Sequence, residues 1–271
     1  KRESSKNKTV FMSQSSYTKT VLPIIRSVRG MVLPHYGNIA FQEKRSHKRF
    51  DQVTELDARV EDFLRTELHK VHPAIGFVGE ESGGNKNMGR FWLADPIDGT
   101  DHFIRGLPFC TTMLALVENG AVVFSAIYDF VNDILYSAEK NRGATANGKP
   151  IRVAERTLRQ SRIDWSANLE DAENLKRFLM LQKNTYPFHV GPTGYVCALI
   201  ASGKLDGLVY SSFAYNDYDI APGTFLIKEA GGIVANIGSR EYDYRNLNFI
   251  AANPIVFREL TEGPDAIFPI P

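Results

Sequence analysis

Four places along the chain set carboxylates at the ends of apolar stretches. They are Asp57 in Val-Thr-Glu-Leu-Asp, Glu80 with Glu81 after Ile75–Val78, the pair Asp95 and Asp98 after Phe91–Ala94, and Asp219 ahead of a long apolar run. A strand that finishes in an acid projects it from a rigid edge. Several such edges converging would form a concentrated negative site, whose members repel and raise one another's pKa. A hard divalent cation relieves that repulsion. Oxygen ligands alone, with no His or Cys in the motif, suit Mg²⁺ or Mn²⁺ rather than zinc. The segment Asp95-Pro-Ile-Asp98-Gly-Thr100 is the most specific of the four. Pro fixes the backbone, Gly frees it, and two acids flank an apolar Ile. It is not a calcium loop, because the D-x-D-x-D-G pattern and its distant Glu are missing. Taken singly, the other acids have plainer readings: a solvated turn for Glu80-Glu81, a helix start for Asp57, an N-cap for Asp219.

The elements that must position these acids follow from periodicity. Val21, Ile24, Ile25, Val28, Met31 and Val32 recur at helical spacing, so a helix is expected over Thr20–Val32, with Pro23 in its first turn or at a kink. Residues 34–52 read as loop with a short strand at Ile39–Phe41. A second helix starts near Thr54, where Thr54-x-x-Asp57 resembles a capping box, and His72-Pro73 stops it. Strands are expected at Ile75–Val78, Phe91–Ala94, Cys110–Glu118, Ala121–Asp129 and Ile134–Ala138. Asn119-Gly120 marks a hairpin and Asn147-Gly148 another turn. The second half opens near Ala154, with strands at Arg162–Ser166, Leu205–Tyr210, Ile233–Asn236 and Phe249–Ala252. Its helices are expected at Glu170–Gln182, just after Gly191, and at Ile220–Ala230, the last with Pro222 in its first turn. The irregular alternation with a long antiparallel stretch favours stacked α and β layers over a doubly wound parallel sheet.

Composition narrows the function classes. The 271 residues are 43% hydrophobic and 23% charged, an ordinary globular balance. A formal net charge of +1 gives no strong nucleic-acid signal. The one basic run, Lys44, Arg45, His47, Lys48 and Arg49, reads as a solvated loop or as a lure for anionic substrate. Cys110 and Cys197 form no C-x-x-C pair and read as buried hydrophobes, which fits a reducing, cytoplasmic setting. No apolar run is long enough for a membrane span. Residues 1–17 read as a flexible tail without a signal-peptide centre, and the missing initiator Met suggests that the chain begins inside its gene product.

The motifs together resemble the inositol monophosphatase family of lithium-sensitive, magnesium-dependent sugar phosphatases. Gly79-Glu80-Glu81-Ser82 resembles its G-E-E-S. DPIDGTDHF from Asp95 to Phe103 resembles its first signature, and VTELD resembles its V-T-x-x-D. YDIAPGTFLIKEAGG from Tyr218 to Gly232 resembles its second signature. The resemblance runs over roughly residues 18–256 and implies an α/β, layered αβαβα sandwich of the sugar-phosphatase type. The expected halves are 18–153, with the metal site, and 154–271, contributing Asp219 and the substrate pocket.

The resemblance also implies roles. Glu80, Asp95 and the carbonyl of Ile97 would hold one Mg²⁺, and Asp95, Asp98 and Asp219 a second. Glu80 would help hold a third, weaker ion; two to three ions are implied, with Mn²⁺ as a substitute. Thr100, supported by Asp57, would orient a metal-activated water for direct attack, while the amides of Gly99 and Thr100 cradle phosphate. Glu81 would play a supporting part. Gly191, Pro192, Thr193 and Tyr210 would line the substrate pocket with Asp98 and Asp219. A homodimer is implied as well.

The chain departs from the family pattern at Tyr218, where Trp is usual, and at Pro222, where Ala is usual. Tyr210 stands where an acid contacts inositol hydroxyls, near an apparent insertion at Phe213–Asp217; it either touches substrate or packs. His102 likewise reads as a substrate contact or a turn histidine. The expected activity is phosphomonoester hydrolysis of a small phosphorylated polyol or sugar, inositol 1-phosphate first. Histidinol phosphate, fructose 1,6-bisphosphate and a 3′-phosphorylated adenosine nucleotide are the alternatives within the family. A regulatory binding protein that keeps the fold is the alternative outside enzymology.

Overall fold

The computed structural model describes residues 16–43, 52–189, 191–211 and 215–271. The basic run Lys44–Arg49, Phe11 and the rest of the tail to residue 15 lie outside the described residues. In chain order the first half carries α1 (Ser16–Val32), β1 (Gln42–Glu43), β2 (Gln52–Val53), α2 (Glu55–Val71), β3 (Gly76–Gly79), β4 (Arg90–Asp98) and α3 (Thr100–Arg105). It continues with β5 (Thr111–Glu118), β6 (Ala121–Asp129), β7 (Ile134–Glu139), β8 (Gly143–Ala146) and β9 (Lys149–Ile151). The second half carries β10 (Arg162–Ala167), α4 (Ala172–Asn184), β11 (Tyr186–Pro187), α5 (Thr193–Ala201), β12 (Gly207–Ser211) and α6 (Asp217–Glu229). It ends with β13 (Ile233–Asn236), β14 (Phe249–Ala252) and α7 (Pro254–Thr261).

Strands β3 to β9 lie in sequence order in one seven-stranded sheet, parallel at β3–β4 and antiparallel from there on. A five-stranded mixed sheet has the order β11-β10-β12-β14-β13. Both faces of the large sheet are covered, so its central strands are apolar along their length rather than alternating. Trp92, Leu114, Leu116 and Phe124 pack against Val21, Ile25, Val60 and Leu64 of α1 and α2. Met113 and Ile127 point the other way, into a core shared with α5, α6 and Leu208, Tyr210 and Phe249 of the small sheet. The far side of the small sheet, with Ile163, Trp165 and Ile250, packs on Leu181 of α4 and Val256 and Leu260 of α7. The result is the expected αβαβα layering. The helix α6 is buried from Ile220 to Ile227 because it lies between two sheets.

Several local expectations shift. α1 begins at Ser16, so Tyr17 is not part of a tail; its ring packs on Trp92 and Phe124. Pro23 lies inside the helix, beyond its first turn. Residues 39–41 form no strand; pairing starts at Gln42. β8 and β9 flank the Asn147-Gly148 turn, whose left-handed residues (φ 47° and 75°) suit a tight hairpin. Cys110 and Cys197 are buried free thiols, as expected. No described helix is long and apolar enough to cross a membrane.

Candidate active site

The aspartate pair depends on a break in the large sheet. Asp95 faces Met113 across β5, and Asp98 faces Thr111. Three steps on β4 therefore match two on β5, which makes a bulge at Pro96 and Ile97. An unbroken strand would aim residues 95 and 98 at opposite faces. The extra residue brings the two carboxylates within electrostatic reach of each other. Pro96 is tolerated here because a bulge leaves a ladder position without a required N–H. The Thr112 hydroxyl donates to the Pro96 carbonyl at 2.8 Å and holds the bulge.

Burial, and then the charges of Glu80, Asp98 and Asp219, hold Asp95 well above the usual carboxylate range. Its Oδ1 is buried without a hydrogen-bond partner. Burial pushes Asp98 up to about 7, opposed by donors: the Thr111 hydroxyl at 3.0 Å and the Gly194 amide at 2.9 Å. Gly194 has no room for a side chain, since a Cβ would sit 2.5 Å from Met113 Sδ and Thr111 Oγ1. The Tyr218 phenol is raised by burial and then by Glu80, Asp219 and Asp95, so it lies within electrostatic reach of these acids.

Asp219 differs from its expected place. α6 begins three residues earlier than Ile220, because Asn216 is the N-cap and Asp219 is N3 of a capping box, its Oδ2 accepting from the Asn216 amide at 2.6 Å. Pro222 therefore falls in the second turn, not the first. A second capping box forms as expected at α2. Asp57 Oδ2 accepts from the Thr54 amide at 2.8 Å and hydroxyl at 2.7 Å. Its Oδ1 accepts from the Thr100 hydroxyl at 3.2 Å, which also reaches the Ile97 carbonyl at 2.9 Å. Burial raises the pKa of Asp57; the Thr54 donors oppose that and Glu80 adds to it.

The amides of Gly99 and Thr100 open the short helix α3. Gly99 has φ 85°, and a Cβ there would meet Pro192 at 2.4 Å. So Pro192, the N-cap of α5, packs against the Cα of Gly99, and the His102 ring lies against Gly191. His102 also stacks edge-on with Phe109 at 6.1 Å. Tyr210 packs: it is buried, lies parallel to Tyr215 at 4.7 Å, and meets Phe249.

Two residues outside the motifs organise the site. Glu61 is buried on α2 and accepts from the amides of Glu81 at 2.7 Å and Ser82 at 3.0 Å, from the Ser82 hydroxyl, and from Arg65 at 2.8 Å. It shapes the turn that carries Glu80. Its sequence signal is its position: four residues after Asp57, it falls on the apolar stripe of α2. Lys86 bridges the following loop to Asp217 at the head of α6, at 2.7 Å.

Among the described residues, no three acidic, His or Cys side chains stand close enough to grip one ion as they are. Asp57, Asp98 and Asp219 are instead turned to their own local donors.

The Inositol monophosphatase family profile matches residues 13–263. The chain belongs to the inositol monophosphatase family. It is thereby a member of a group of metal-dependent phosphatases. It is 31% identical to the fructose-1,6-bisphosphatase/inositol-1-monophosphatase of Thermotoga maritima, over 89% of this chain and 93% of that protein. It is 30% identical to the Nus factor SuhB of Pseudomonas aeruginosa, over 78% of this chain and 81% of that protein. The solved Thermotoga maritima IMPase superposes with a TM-score of 0.82 at 29% identity, covering 91% of this chain and 95% of that one.

Two outcomes are expected. The raised pKa of Asp98 means that the folded chain without cations binds more protons than the unfolded chain. That contribution to stability is complete below the ordinary value of 3.8 and is lost as the pH rises through about 7. Thermal melts of the cation-free protein should lose stability between about pH 4 and pH 7, with a smaller loss in Asp98→Asn. Glu61→Gln should speed amide hydrogen exchange at Glu81 and Ser82 by at least ~10-fold, about 1.4 kcal/mol, since the charged acceptor of both amides is gone.

Proposed function

We propose that this chain is a Mg²⁺-dependent phosphomonoesterase that hydrolyses a small phosphorylated polyol or sugar by direct attack of water, with inositol 1-phosphate as the reference substrate. The observation that carries the reading is Asp95: a buried carboxylate with an unpartnered oxygen, raised by burial and by three other acids. Buried like charges of this kind fit a hard cation. Glu80, Asp95 and the Ile97 carbonyl would hold one ion, and Asp95, Asp98 and Asp219 a second. Glu80 would contribute to a third. Bound ions neutralise phosphoryl oxygens, acidify water and stabilise the leaving alkoxide.

The chain's own groups do the positioning. Thr100 gives its hydroxyl proton to Asp57 or to the Ile97 carbonyl, and this leaves its lone pairs free to accept from the attacking water. Thr54 locks the other Asp57 oxygen. The amides of Gly99 and Thr100 would face the phosphate, with Pro192 packed against the Cα of Gly99. In-line displacement then needs only alignment. Glu81, on a turn tied down by Glu61, supports Glu80. No covalent phosphoenzyme is part of the reading, because both cysteines are buried with raised pKa.

The same reading includes a homodimer in the cytoplasm. Large apolar side chains are exposed along the segment that holds α4 and β11, at Leu169, Leu175, Leu179, Tyr186 and Phe188. Such a surface suits burial against a second copy.

Hydrolysis of inositol 1-phosphate that requires Mg²⁺ is the expected result; no turnover of any phosphomonoester with Mg²⁺ or Mn²⁺ overturns the reading. Thr100→Ala should cut kcat at least ~100-fold, about 2.7 kcal/mol of barrier, with KM little changed. Asp57→Asn should do likewise, the double variant losing less than the sum. Normal turnover with earlier melting would reduce Thr100 to a structural role. Sedimentation should give a dimer mass at micromolar concentration, and a monomer mass for Leu179→Glu.

A further inference from the structure

The two elements that carry Glu80 and Asp219 also carry a pair of opposite charge. Lys86 lies six residues after Glu80, in the loop to β4, and Asp217 is the first residue of α6, two before Asp219. Lys86 Nζ donates to both carboxylate oxygens of Asp217, at 2.7 and 2.8 Å. The lysine side chain is 49% exposed and the aspartate side chain 11%. The pair is therefore seated on the helix and reached from the loop. Two residues further on, Met88 packs into an apolar cluster with Val78, Ala221, Tyr218 and Tyr244.

The turn that carries Glu80 is closed on itself, since the amides of Gly79 and Gly83 each donate to the other's carbonyl at 3.0 Å. It is held from α2 by Glu61 and from β4 by the Ala94 carbonyl, which accepts from the Glu80 amide at 3.1 Å. Toward α6 it meets like charge. After burial, Glu80 and Asp219 both raise the pKa of Asp95 and of the Tyr218 phenol, so they flank the same two groups. Carboxylates within reach of one another repel until a cation lies among them. That repulsion drives the loop and the head of α6 apart. The attraction of Lys86 for Asp217 acts between the same two elements and opposes it.

We propose that Lys86 is a positioning residue for cation binding: its ion pair with Asp217 keeps the loop behind Glu80 drawn to the head of α6 before a cation arrives. The inference rests on the metal-dependent reading of the acid site and concerns how tightly that site takes Mg²⁺. A site already closed loses less binding free energy to ordering itself. Coulomb interaction alone argues the other way. Lys86 is a positive charge near a cation site, and its removal would by itself tighten Mg²⁺ binding. Preorganisation is the larger effect here, because the ammonium is paired with Asp217 and half exposed, so its charge at the acids is offset and screened. The two effects differ in sign, which makes them separable.

Calorimetric titration of the cation-free protein with Mg²⁺ is the test. Lys86→Met should weaken binding about 3- to 5-fold, the shift that an ion pair with one exposed partner supports. Lys86→Arg, which keeps the pair, should stay within about twofold of the parent. Asp217→Asn weakens binding under either account, so the double variant Lys86→Met/Asp217→Asn separates them. It should bind as weakly as Lys86→Met, whereas charge balance alone returns it to the parent affinity. Unchanged or tighter binding in Lys86→Met, an equal loss in Lys86→Arg, or a double variant at the parent affinity overturns the inference and reduces the pair to a surface contact, with the phosphatase reading intact. A parent protein that takes up no Mg²⁺ at millimolar concentration overturns the metal-dependent reading and the inference together, a result distinct from any difference among the variants.

Discussion

Two aspartates buried within reach of each other, and of two further acids, are the constraint around which this structure is arranged. In a uniform sheet Asp95 and Asp98 would point apart. The Pro96–Ile97 bulge brings them together, and the fold then has to hold two carboxylates that repel. It does so with neutral donors: the Thr111 hydroxyl and the first amides of α5 for Asp98, the Asn216 amide for Asp219, and Thr54 for Asp57. Neutral donors hold an anion without cancelling its charge. The acids stay fixed in direction, and their shared negative potential remains available to a cation.

One helix links two parts of the chemistry. α2 presents Asp57 to Thr100 and, one turn later, Glu61 to the turn bearing Glu80. Rotation of α2 would disturb both together. Its apolar stripe of Leu56, Val60, Leu64 and Leu68 against the large sheet prevents that. The packing core and the site geometry are in this sense one object. The Lys86 bridge to Asp217 ties the next loop to the helix that carries Asp219, across the same cleft.

Much of this is legible in the sequence, and the limits have physical causes. Capping chemistry is local, so Thr54-x-x-Asp57 announces the start of α2. The Asn-Gly pairs announce hairpins because their backbone angles suit the turn. The layered fold follows from element order. By contrast, the start of α6 is misjudged from its apolar run, since Asn216 caps from outside that run. Glu61 carries no motif, and its partners are amides twenty residues on, which no local pattern encodes. Tyr210 reads equally as contact or packing, because a strand-end aromatic gives no clue to what lies opposite; stacking on Tyr215 decides for packing of its ring.

The helix α6 belongs by sequence to the second half, yet it packs against both sheets. A chain severed in the linker after Ile151 would leave one fragment with a bare sheet face and another with a bare helical layer. Each would regain a closed core only by capturing the other. Gene division, circular permutation or exchange of halves with a relative would therefore act on an association equilibrium, and recovered activity would report how tightly the fragments bind.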